Sequence, residues 1–97
     1  MEDATTRLAE AWEVFDLALR MREGLNEESL ANLRQALEDC ERDWRSKDQI
    51  PRLAVNILVD IFPATEGNAA LYDRAEQERV MRVAFDLQDL VGRCVGL

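Results

Sequence analysis

The stretch IPRLAVNILVDIFP, residues 50–63, is the most apolar run of the chain and carries a proline near each end. Pro51 suits the first turn of a helix, where its missing N–H has no partner to lose. Pro63 forbids easy continuation and pushes Phe62 away from the α region. The spacing between them predicts a helix of about three turns. The run is too short for a membrane span and holds Arg52 and Asp60, which excludes that reading. At about 100° per residue, Ile50, Leu53, Ala54, Ile57 and Ile61 share one face with Leu58 beside it. Val55, Val59 and Phe62 fall towards the far side, and Arg52, Asn56 and Asp60 form a polar stripe. A helix apolar around most of its circumference is buried from several sides or carries an interface. Two readings therefore stand: a short central helix wrapped by the others, or a helix whose Val55, Val59 and Phe62 meet a second chain.

Outward from this stretch, Ser46 to Gln49 is a polar connection, with Asp48 placed to cap the central helix. Before it, Asn26 is a good N-cap and Glu27 and Glu28 complement the helix dipole. Leu30, Leu33, Leu37, Cys40 and Trp44 then recur at spacings of three and four, a narrow apolar seam. The opposite face carries Glu38, Asp39, Glu41, Arg42, Asp43 and Arg45. Glu38 and Arg42, and Glu41 and Arg45, stand in the favourable i, i+4 order. A first helix begins near Thr5 or Thr6 and runs to about Glu23, with Gly24 ending it. Its inner face is Leu8, Ala11, Trp12, Phe15, Ala18 and Leu19, widened by Val14 and Met21, while Leu17 falls outside. After Pro63, Ala64 to Asn68 reads as a turn, with Thr65 or Asn68 capping a last helix that reaches the C-terminus. Val80, Val83, Ala84, Leu87, Val91 and Cys94 line its inner face, with Tyr72 and Leu90, whereas Met81 and Phe85 point outwards. Short connections favour antiparallel neighbours. The expectation is one domain, residues 1–97, folded as an all-α antiparallel four-helix bundle with a short central third helix.

Composition bounds the function. The formal charge is −8, from 12 basic and 20 acidic residues. That disfavours direct binding of nucleic acid or of an anionic membrane, and favours a basic partner or simple solubility. An acidic N-terminus without an apolar core segment carries no secretory signal, so a cytoplasmic location with reduced thiols is expected. Cys40 and Cys94 are too few and too far apart for a zinc site, and the chain has no histidine, which also removes the Glu-x-x-His pairs of di-iron bundles. Each cysteine lies on an apolar seam with no base to activate it. No Gly-rich loop precedes a helix. No helix-turn-helix is convincing in so acidic a chain.

By elimination the sequence points to a non-enzymatic interaction protein with no cofactor and no metal. Its concrete form is a small bacterial or phage-type inhibitor, of the immunity, anti-defence or anti-CRISPR kind, binding a basic site on a nuclease or nucleic-acid-binding partner. Opposite charges would speed association and an apolar anchor would prolong it. The contact residues singled out are Val55, Val59, Phe62 and Phe85, with Glu38, Asp39, Glu41 and Asp43. The alternative is a homodimeric assembly subunit joined through the third helix.

Overall fold

The computed structural model describes residues 2–97. The helices are α1 (Ala4–Arg20), α2 (Glu27–Trp44), α3 (Arg52–Ala69) and α4 (Arg74–Cys94). Together they form an all-α four-helix bundle in which helices consecutive in the chain run antiparallel. Neighbouring pairs are α1 with α2, α3 with α4, α1 with α3, and α2 with α4. The chain is thus two helical hairpins laid side by side, and the connection from α2 to α3 crosses the diagonal. Helix axes about 8–10 Å apart put that diagonal near 13 Å, within reach of seven residues at about 3.3 Å each. Asn68 in α3 donates to Asp16 in α1 at 3.1 Å, and Arg79 in α4 pairs with Glu27 in α2 at 3.2 Å. These contacts set α1 parallel to α3 and α2 parallel to α4.

Asparagine and aspartate start three of the helices. Asp3 accepts from the Thr6 N–H at 2.8 Å, Asn26 from Ser29 at 2.8 Å, and Asp73 from Glu76 at 3.0 Å. Each satisfies an N–H that has no partner within its helix. The backbone hydrogen bond from Thr6 also holds the Asp3 carboxyl below its ordinary pKa. Asn26 is the expected cap, but Thr5, Thr6, Thr65 and Asn68 are not caps. Asp48 does not cap α3 either, which opens after Pro51 with no side-chain cap. Earlier than expected, α1 stops at Arg20. Arg22, at φ 59°, takes the left-handed position. Its N–H bonds to the Leu19 carbonyl at 3.1 Å, and the Glu23 N–H bonds to that of Ala18 at 2.9 Å. This is a Schellman closure built on arginine rather than on Gly24.

The third helix is neither short nor central. It has 18 residues, as many as α2, and runs straight through Pro63 and the segment expected to be a turn. It packs on α1 and α4 and lies diagonal to α2. Pro63 denies the Val59 carbonyl its helical donor. Both residues are exposed, so water can take the donor's place. The real break comes at Ala70–Tyr72, just before the Asp73 cap.

The core is the one the seams foretell. Leu8, Phe15, Leu33, Leu37, Ile61 and Leu87 are fully buried, and both Trp12 and Trp44 are buried. Val14 and Met21 do not widen the inner face of α1 but are exposed. Val14 sits over the shallow groove between α1 and α2, beside Ala11 and Ala36, and Met21 lies past the last turn. Leu53 is also exposed. With Asn68 level with Asp16, the first turn of α3 overhangs the start of α1. Tyr72 locks the two hairpins together: its hydroxyl donates to the Leu19 carbonyl at 2.7 Å and accepts the Gly24 N–H at 3.0 Å.

Candidate functional site

On the face shared by α3 and α4, apolar side chains stand in solvent although both helices already bury a complete inner face. Ala54, Ile57, Leu58 and Ile61 fill the core from α3, and Val80, Val83, Leu87 and Val91 from α4. Outside them Val59 is 66% exposed, Phe85 57% and Val55 43%. Phe62 is half-buried and packs on Phe85 across the helix pair, with ring centroids 5.1 Å apart and planes tilted by 58°. The tilted arrangement suits the ring quadrupoles, and it fixes one edge of each ring in place. The structure therefore pairs Phe62 with Phe85 and leaves Val55 and Val59 exposed on the same helix as Phe62.

It does not join the acidic four to them. Glu38, Asp39, Glu41 and Asp43 lie on α2, which borders α1 and α4 but not α3, and they divide between its two flanks. Asp39 faces α1, where Arg7 approaches to 3.8 Å, and it also holds Arg42 and Gln35. Asp43 holds Lys47 at 3.1 Å. Towards α4, Glu41 holds Arg45 at 3.7 Å. The Glu41–Arg45 pair is the expected one, whereas Arg42 chooses Asp39, one turn back, over Glu38. Cations of the chain itself thus already attend three of the four carboxylates.

The remaining chemistry is sparse. A groove between α2 and α4 is lined by Arg34, Arg79, Arg82, Phe85 and Asp86. Arg34 meets Asp86 at 3.6 Å and Arg79 meets Glu76 at 2.7 Å, so acids of the same wall already answer these two guanidinium groups. Cys40 and Cys94 lie near one end of the bundle and are free thiols. The Cys40 thiol donates to the Ala4 carbonyl at 3.6 Å and that of Cys94 to the Leu37 carbonyl at 3.2 Å. Burial pushes Cys40 up to about 12 and Cys94 to about 11, the direction opposite to that of an activated nucleophile. Among the described residues no three acids or cysteines are grouped to hold a metal ion. Thr65 is buried in α3 with its hydroxyl oxygen lacking a partner among the described residues. Among the described residues no helix is long and apolar enough to cross a membrane.

Comparison with protein-family models, curated proteins and solved structures finds no match.

Sequence reasoning missed two contacts. Tyr72 was placed on the inner face of the last helix, not as the hydrogen-bonding post of the hairpin junction. The signal in the sequence was the phenol itself, whose hydroxyl needs a partner when it is buried. The Phe62–Phe85 contact needed the knowledge that α3 and α4 are neighbours, which a helical wheel for each helix alone does not supply.

Proposed function

We propose that this protein works by association rather than by catalysis, and that the α3/α4 face carries its contact. The observation behind this reading is the exposed set Val55, Val59 and Phe85 beside Phe62, on two helices whose inner faces are already filled. Exposed single apolar residues are common, but a contiguous patch centred on an aromatic pair has the composition of an interface core. Acidic side chains elsewhere on the chain leave it with net charge −8, which opposes nucleic acid as the direct ligand.

A charge-led form of the same reading is an inhibitor of a nuclease or nucleic-acid-binding protein, of the immunity or anti-CRISPR kind, whose carboxylates enter a basic site. The net charge supports it. The carboxylates Asp39, Glu41 and Asp43 give it less support, since each already holds a cation, although exposed pairs of this kind exchange easily. Two variants separate the forms. Val59→Asp should abolish association while helix content and melting temperature stay near wild type. The triple change Asp39→Asn, Glu41→Gln, Asp43→Asn should leave association intact if the apolar face carries it, and abolish it if the acidic face does. Unfolding of Val59→Asp would refute an exposed contact at that position, because it would mean that a carboxylate had been forced into a dry core.

A further inference from the structure

Building on the association reading, we propose that the α3/α4 face is occupied by a second copy of this chain, with the two α3 helices antiparallel across a twofold axis at Val59. Along the exposed flank of α3 the residues Arg52, Val55, Val59, Phe62 and Glu66 recur at spacings of three, four, three and four. That is the repeat of a helix–helix seam. It differs from the buried face of the same helix, which already meets α1 and α4. Apolar residues occupy the middle of the stripe and a single opposite charge closes each end.

The charges decide the occupant. Arg52 and Glu66 stand seven residues either side of Val59, about 10 Å away along the axis in each direction. Both are exposed, and among the described residues neither takes part in an ion pair, while Arg42, Arg45 and Lys47, at and just beyond the end of α2, are each paired. A twofold axis through Val59 carries the Arg52 end of one copy onto the Glu66 end of the other, twice. The stripe is complementary to itself when antiparallel and repels itself when parallel, since like ends would then meet. An isologous contact requires that property of one patch. Phe85, held on Phe62, extends the apolar strip on the α4 side. The outer faces of α1 and α2, with most of the paired acids, stay in solvent on the far side of each copy.

Sedimentation velocity over a concentration series, at low and at high salt, tests this with four proteins besides wild type. Wild type should be a dimer, and added salt should not dissolve it, because the net charges of the two copies repel while the seam is apolar. Val59→Asp should be a folded monomer. Arg52→Glu and Glu66→Arg should each raise the dissociation constant about tenfold or more, since each sets like charges face to face. The double variant Arg52→Glu/Glu66→Arg should return to within about threefold of wild type, because the reversed pair is again complementary. A wild type that stays monomeric at high concentration, or a double variant weaker than either single one, overturns the second copy as occupant. If Val59→Asp nonetheless folds as wild type does, the exposed face survives for another partner. If it unfolds, the association reading falls as well.

Discussion

Helices α2 and α3 have equal length and opposite surfaces. The α2 helix buries every residue of its leucine seam and covers its outer side with charges that find partners one turn along: Asp39 with Arg42, Glu41 with Arg45, Asp43 with Lys47. The α3 helix buries a face just as complete, yet leaves Val55 and Val59 in water and carries a proline in its interior. Within one chain α2 is finished, whereas α3 has apolar surface that nothing in the chain covers. The difference separates residues that make the fold from residues that the fold can spare.

That separation breaks most sharply at Leu37. It is fully buried, so Leu37→Ala should cost about 2–5 kcal/mol in denaturant unfolding. A loss below about 0.5 kcal/mol would place the α2 seam on the surface and erase the contrast. Next is Pro63, where α3 tolerates a residue that α2 could not. Pro63→Ala restores a donor to the Val59 carbonyl and should stabilise the bundle by up to about 3 kcal/mol. A destabilised variant would mean that the proline shapes α3 rather than burdening it. Between the hairpins, Tyr72→Phe removes one donor and one acceptor at the junction and should cost about 1–2 kcal/mol, with the loss seen as a lower urea midpoint. At the C-terminus of α1, Arg22→Gly should gain about 0.5–1 kcal/mol by relieving the left-handed conformation.

A test of a different kind concerns pH. Both thiols have folded-state pKa values raised above the ordinary 9.0, so the folded chain holds these protons where the unfolded chain releases them. Their contribution is complete below pH 9 and is lost as pH rises towards 11 and then 12. The urea midpoint should therefore fall across that window. The double variant Cys40→Ala/Cys94→Ala should start lower but fall less steeply. Equal slopes would show that the thiols do not titrate differently in the two states.

The four-helix architecture was legible because its seams are strict. Leu30, Leu33, Leu37, Cys40 and Trp44 leave one helical phase open, and all five are buried. The outer set on α3 and α4 was legible for the same reason, as residues left over once an inner face is assigned. Pro63 was misread because its backbone cost is certain from sequence but the remedy is not: the helix continues by turning that position to water. The caps fall elsewhere than expected: Asp3, not Thr5 or Thr6, opens α1, and Asp73, not Thr65 or Asn68, opens α4 once α3 has continued through Pro63. Which helices touch was not legible. Short loops imply hairpins, but seven residues between α2 and α3 serve a neighbour or a diagonal equally well, and that choice sets Phe62 against Phe85.

The diagonal crossing has a consequence for how the molecule comes apart. Residues 46–50 pass over one end of the bundle as exposed or half-buried chain outside any helix, a segment of the kind proteases cut. A single cut there would leave two hairpins of similar size, each closed by its own tight turn, with α1 still against α3 and α2 against α4. The backbone between the hairpins carries continuity but little cohesion. A nicked chain should therefore sediment as one particle and separate into its halves only in denaturant.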